Sequence, residues 1–507
     1  MGSRDAATTR AQRTARNSLY SFAGFAYGTV LTIAVTPIVV HRLGAEAYGV
    51  LALTGTFAGL LGLLNLGLGT TLLRFLADRF AQDDHDEANE IFGTSIIFYG
   101  AIGLVGMAIA IVVGTTMTTS LFNLSAANVP AARFAFVIGG LGFLLVMITK
   151  PFTILLFSLQ RYDIQARLGV AFGTVSAAGS IGLVLAGYRL YALVLLQLGI
   201  DLAALVVYTS VGRRLLPALK VRPRWNARLL RRMVSFSAFL FIASVSGFVL
   251  AELDRILIGA LASVALLSFY VIPLGVASRI SSAITTIASV VVPTSTELVA
   301  QNDLVRARRL YVRASRVVLV FLLALSIPTF VFAHELLLHW IGPAMADKSD
   351  TVLRLLVLTF FLSALAVVPF NVLIGAGNPR VPAYFNAGMA AINVVLVVIL
   401  IPLYEITGAA LAYLISALPF LGLLWFTEQR VLQLRPSPWP GLVLRLLVPV
   451  ALQVGIAYAL RPFATSLATV ILTMLVAIGA LPAAYYLLGL AEPEDRQLLV
   501  SLVRGAG

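Results

Sequence analysis

The sequence predicts an all-α integral membrane protein of about 14 transmembrane helices: two six-helix lobes related by an axis along the membrane normal, then two C-terminal helices. Three observations predict it. The 507 residues are 60% hydrophobic and only 11% charged, with a mean hydropathy of +0.97, so water cannot be the main solvent. Apolar runs with few charges recur from end to end, each near the roughly 20 residues that cross about 30 Å of hydrocarbon. A short internal repeat falls at matching span positions, the pattern of membrane proteins built from two related bundles.

The polar tail 1–17 leads into a first span, 18–40, that is long enough to cross the bilayer, so it reads as a retained helix rather than a cleaved leader. Spans two to six follow at 47–73, 91–114, 134–158, 168–187 and 190–210, completing a lobe at 18–212. A basic linker, 213–232, precedes the second lobe, 233–430, with spans at 233–251, 262–294, 315–333, 353–376, 381–402 and 407–427. The segment 431–507 adds spans at 441–460 and 466–490 and a short tail.

Orientation follows from arginine placement. With the N-terminus in the cytoplasm, Arg4, Arg10, Arg13 and Arg16 are internal, as are Arg213, Arg214, Arg231 and Arg232 of the linker and Arg306, Arg308, Arg309 and Arg313. About 28 basic residues are then internal and about seven external, and an even span count returns the C-terminus to the cytoplasm. The net charge of +14 is thus spent on membrane topology, not on a nucleic-acid surface. With no cysteine in the chain, disulfides, thiolate catalysis and cysteine metal sites are excluded.

Pro151-Phe152-Thr153-Ile154-Leu155 recurs as Pro369-Phe370-Asn371-Val372-Leu373, and Ala192-Leu193 recurs as Ala410-Leu411 at the same offset. Six spans is an even number, so both lobes begin on the same side and the pseudo-two-fold runs along the membrane normal.

Enzyme motifs fail on inspection. His334-Glu335 and His339 have one residue too many for H-E-x-x-H, and Gly67-Leu68-Gly69 and Gly375-Ala376-Gly377 lack the Lys-Ser/Thr of a phosphate loop. What stands out instead is charge inside apolar spans: Lys150, Asp201 and Arg279, with Arg74 nearer a helix end. Each costs about 2.5–3.5 kcal/mol at the bilayer centre, so it should face a wet cavity or a partner rather than lipid. Lys150, Arg279 and Arg74 are candidates to hold an anionic group; Lys150 or Arg279 pairing with Asp201, or Arg74 snorkelling, is the alternative. Asp201 reads as a structural partner or an ion-coupling carboxylate. Arg42, Glu46, Glu252, Asp254 and Arg255 sit at the outer ends of spans one, two and seven, where opposite charges could close a gate.

Asn17-Ser18-Leu19-Tyr20, the loop from Arg42-Leu43-Gly44 to Tyr48-Gly49, and Leu64-Asn65-Leu66-Gly67-Leu68-Gly69 leading to Arg74 resemble Wzx-type polysaccharide biosynthesis flippases. So do Asp254-Arg255-Ile256-Leu257-Ile258-Gly259, Leu373-Ile374-Gly375-Ala376-Gly377-Asn378-Pro379 and Thr407-Gly408-Ala409-Ala410-Leu411-Ala412. Their order fits the wider superfamily of multidrug, oligosaccharidyl-lipid and polysaccharide exporters; the chain departs at Asn65, where relatives often carry Asp. The resemblance implies alternating access by two lobes around a cationic cavity, flipping a polyprenyl-pyrophosphate-linked oligosaccharide across a bacterial-type plasma membrane, with no reaction catalysed and no cofactor. Polysaccharide polymerase machinery is an implied partner, and the membrane potential, H+ or Na+ an implied energy source. A lipid II flippase, which has a similar extra helix pair, and a cation-coupled multidrug exporter are the alternatives. A membrane polymerase or ligase fits less well, because the longest polar external stretches, near 115–132 and 334–352, are short.

Overall fold

Hydrocarbon offers backbone amides no hydrogen bonds, so apolar runs in a bilayer must satisfy themselves as helices. The computed structural model of the protein describes residues 27–216, 225–288 and 304–490, and no β-strand occurs among them. Eleven of the described helices are long and apolar enough to cross a membrane, as the sequence requires of a multi-pass membrane protein. The expected tail 1–17, the start of span one, the centre of the linker 213–232, the end of span 262–294 and the tail beyond 490 lie outside the described residues.

The chain divides into two compact units, with the boundary between Ser268 and Phe269. In the first unit, α1 is Tyr27–Leu43, α2 Ala45–Asn65 and α3 Leu68–Ala81. There follow α4, His85–Leu121; α5, Val129–Ser158; α6, Tyr162–Leu185; and α7, Leu190–Leu215. Next come α8, Ala227–Phe248, α9, Asp254–Leu261, and the start of α10, Val264–Ala288.

The expected second span, 47–73, is two helices. Leu66 (φ 55°) and Gly67 (φ 71°) break it in the left-handed region, open freely only to glycine, and Tyr99 Oη donates to Asn65 Oδ1 at 3.1 Å beside the break. Farther along, the helices approach through glycines: a Cβ at Gly106 would lie 2.3 Å from Phe143 Cε1, so the Phe143 ring of α5 rests on α4 where a larger residue would displace it. Asp84 caps α4 by accepting from the Glu87 amide at 3.0 Å.

In the second unit, α11 is Leu304–Val331, α12 Ala333–Trp340 and α13 Pro343–Gly375. They are followed by α14, Arg380–Val431; α15, Trp439–Phe463; and α16, Leu467–Leu487. The 52 residues of α14 are two crossings. At Glu405 the backbone turns to φ 50°, ψ −128°, and a Cβ at Gly408 would lie 2.0 Å from the Leu400 carbonyl oxygen. Residues eight apart can touch only if the chain doubles back, so the expected spans 381–402 and 407–427 are its two arms.

The terminal pair packs on α11 through Leu319, Leu442, Leu446 and Leu481. Gln453 Nε2 donates to the Ala324 and Ala477 carbonyls at 3.0 and 3.1 Å, joining three helices in lipid. On the opposite side of α15, Leu444, Leu447 and Val448 are exposed, as a lipid-facing surface should be. Glu428, only 2% exposed, accepts from Tyr311 Oη at 2.9 Å, Ser437 Oγ at 2.8 Å and Trp439 Nε1. A buried carboxylate satisfied three times fixes the end of α14 to the start of α15.

Candidate functional site

Small and polar side chains on α1, α2, α5, α6 and α7 leave a cavity of about 800 Å³ inside the first unit. Its wall mixes Leu, Val and glycine with Thr32, Thr36, Thr54, Ser176, Ser180 and Gln197, and it carries two charged residues, Lys150 and Asp201. Both were singled out in the sequence because neither can face lipid cheaply; the fold turns both to the same chamber.

Lys150 precedes Pro151 inside α5. Among the described residues, no carboxylate lies within 4.0 Å of its ammonium. Asp201 Oδ1 accepts from Gln197 Nε2 at 2.9 Å, one turn earlier on α7. Opposite it stands Gly142, where a Cβ would lie 2.9 Å from Asp201 Oδ2, so the carboxylate occupies space that only glycine leaves free. Lys150 and Asp201 therefore share a wall without forming an ion pair with each other.

The hydroxyls give the wall a definite polarity. Thr32 Oγ1 donates to the Gly28 carbonyl at 2.8 Å, Thr36 Oγ1 to the Thr32 carbonyl at 2.7 Å, and Thr54 Oγ1 to the Val50 carbonyl at 3.0 Å. With their protons committed to the helix backbone, the Thr32 and Thr54 oxygens offer lone pairs to whatever enters, whereas Thr36 is buried and hydrogen-bonded to Tyr48. The cavity thus presents acceptors suited to ligand hydroxyls, one carboxylate, and one ammonium suited to an anion.

The other candidates lie elsewhere. Arg74 is exposed on α3 and does not line the cavity. Arg279 is half-buried on α10 in the second unit, whereas the wall is built entirely from residues 28–201.

The charged group expected at the outer helix ends lies within the first unit. Glu46 accepts from the Ser125 amide at 2.6 Å, Ser125 Oγ at 2.7 Å and Asn128 Nδ2 at 2.7 Å, pinning the α4–α5 connection. Glu252 accepts from Arg255 Nη1 one turn away and from Thr56 Oγ1 at 3.4 Å on α2. Asp254 is 1% exposed and Arg42 is exposed at the end of α1.

Sequence reasoning passed over Gln197, Gly142 and the threonines. Gln197 did carry a signal: it stands four residues before Asp201 in an apolar span, the spacing that puts two side chains on one helix face. Gly142 carried none, since its role exists only across a helix pair.

The sequence profile of the family described as "Polysaccharide biosynthesis protein" matches residues 39–349. A relative from Shigella flexneri named "Putative O-antigen transporter" is 20% identical over 411 residues, 80% of this chain and 94% of the relative. Among solved structures, the lipid II flippase MurJ in an inward closed conformation has a TM-score of 0.69 at 12% identity, covering 93% of this chain and 100% of that one. An inward-facing multidrug resistance MATE family transporter of the MOP superfamily has a TM-score of 0.63 at 14% identity, covering 83% and 96%. At such identities the structural likeness establishes the fold: the helical arrangement is that of these transporters.

Proposed function

The chain belongs to the polysaccharide biosynthesis protein family, and from that premise we propose that it flips a polyprenyl-pyrophosphate-linked oligosaccharide from the cytoplasmic to the outer leaflet of a bacterial-type plasma membrane. One observation carries the reading: an ammonium with no carboxylate within ion-pair distance among the described residues, Lys150, faces a chamber whose largely apolar wall also carries threonine and serine hydroxyls, an amide and a carboxylate. A glycan is a dense array of hydroxyl donors attached to a pyrophosphate, and this wall is complementary to both parts. The glycan meets Thr32, Thr54 and the Asp201–Gln197 pair, and a phosphate meets Lys150. Arg74 and Arg279 act on the anion at other stretches of the path. Both termini are cytoplasmic, and the polymerase machinery receives the flipped glycan. No bond is made or broken on the protein.

Energy for export need not come from a nucleotide. Two negative charges moving outward from an inside-negative compartment gain about 4.6 kcal/mol per 100 mV, at roughly 2.3 per charge. Asp201, the carboxylate on the cavity wall, is the group through which H+ or Na+ would couple. The same residue supports the second reading, a cation-coupled exporter of small molecules.

Purified protein in vesicles, loaded with a polyprenyl-pyrophosphate oligosaccharide in one leaflet, separates the two. Headgroups should become accessible from the opposite side, faster when that side is made positive. Dye efflux without headgroup movement would replace this reading with the second.

A further inference from the structure

A second, smaller pocket of about 340 Å³ lies between α1 and α6, walled by Tyr27, Gly28 and Leu31 on one side and by Tyr162, Ala166, Gly169 and Gly173, among others, on the other. Gly28, Leu31 and Gly173 also line the large cavity, so the two spaces adjoin. Glycine makes the connection. No atom lies within 4 Å of a Cβ built at Gly28 or Gly169, and at Gly173 the nearest is Leu31 Cδ1 at 3.7 Å. The seam is thus left open rather than packed shut. It is tied across by Tyr27 Oη and Thr174 Oγ1 at 2.6 Å, and the Phe157 and Tyr162 rings, 5.3 Å apart, also line it. Beside it, Val30 and Ile33 on α1 and Val175 on α6 are exposed apolar side chains, as a lipid-facing surface should be.

We propose that this seam is the seat of the carrier's isoprenoid chain, holding its first units while the pyrophosphate and sugars occupy the cavity; the proposal rests on the cargo reading above. The chemistry of the two spaces differs as the two parts of such a molecule differ. The cavity carries Lys150, Asp201 and hydroxyls, whereas the seam is walled by aromatic and aliphatic groups, with Gln165 its amide. In the orientation proposed, the start of α6 is cytoplasmic, so the seam opens at the inner leaflet, where the cargo is loaded. A chain held there keeps its contact with lipid while its head is in the chamber, and never has to be dragged through a polar space.

Filling the seam tests this. Gly169→Phe places a ring in the pocket without a backbone clash, because its Cβ meets nothing. Two probes are titrated onto the full chain in phosphatidylglycerol nanodiscs: a polyprenyl pyrophosphate disaccharide, and the same disaccharide pyrophosphate without its chain. Gly169→Phe should weaken the tailed probe at least about tenfold, the worth of roughly two buried methylenes, and leave the tail-less probe unchanged. A benzophenone amino acid at position 166 should cross-link the tailed probe in preference to phosphatidylglycerol.

Equal loss for both probes, loss for neither, or equal labelling by phosphatidylglycerol would overturn the assignment of the seam. Binding of neither probe to the unaltered protein would overturn the cargo reading itself and this proposal with it. Binding of the tail-less probe with an unaffected tailed one would overturn the seam alone.

Discussion

Lys150→Glu should abolish glycan export while the protein still accumulates in the membrane. A hydrogen bond to a charged group contributes about 1.5–3 kcal/mol, so Lys150→Gln alone should lower export about 10- to 100-fold. Reversal does more: it sets a second carboxylate on the wall that already carries Asp201, so the chamber repels the pyrophosphate. Lys150→Arg, which keeps the charge and can grip phosphate with a planar fork, should retain most of the activity. The series is read from surface polysaccharide and from headgroup exposure in vesicles, with membrane abundance as the control. Normal export by a folded Lys150→Glu protein would remove the ammonium from the mechanism.

Gly408→Leu should cost more stability than any cavity substitution. The Leu400 carbonyl oxygen would lie 2.0 Å, and its carbon 2.5 Å, from the new Cβ. Overpacking a core typically costs about 1–3 kcal/mol when side chains can yield; here the obstacle is backbone, held by the reversal at Glu405. The two arms of α14 would have to separate, and the monodisperse, cooperatively melting fraction in detergent should fall steeply. Gly455→Leu on α15 is the matched control, because a Cβ there meets nothing within 4 Å. Equal melting temperatures for the two variants would show that the turn at Glu405 does not depend on this contact.

Much of the fold was legible because the bilayer imposes its rule on sequence directly: length and apolarity decide what crosses. The two arms of α14 were separable at Tyr404-Glu405, where a charge interrupts two apolar runs. The break at Leu66–Gly67 was not, because no charge marks it: Asn65 and the glycines around it leave the span apolar enough to read as one helix.

At the site, the cost of burying charge identified Lys150 and Asp201, since it depends only on depth in the span. It could not say whether they pair. That answer needed the distance across α5 and α7 and the gap that Gly142 provides. Glu46 shows the opposite limit: its position suggested a gate, but the three donors that occupy it, on Ser125 and Asn128, are about eighty residues away in sequence.

The absence of cysteine makes the central claim directly measurable. Ser180→Cys places a single thiol on the cavity wall, and its reaction with a small water-soluble thiol reagent reports whether the chamber is filled. Saturating polyprenyl pyrophosphate oligosaccharide should slow that reaction, and should fail to do so when Lys150→Gln is added at the same ligand concentration. A reaction rate indifferent to ligand, in protein shown to bind it, would place the cargo somewhere other than this chamber.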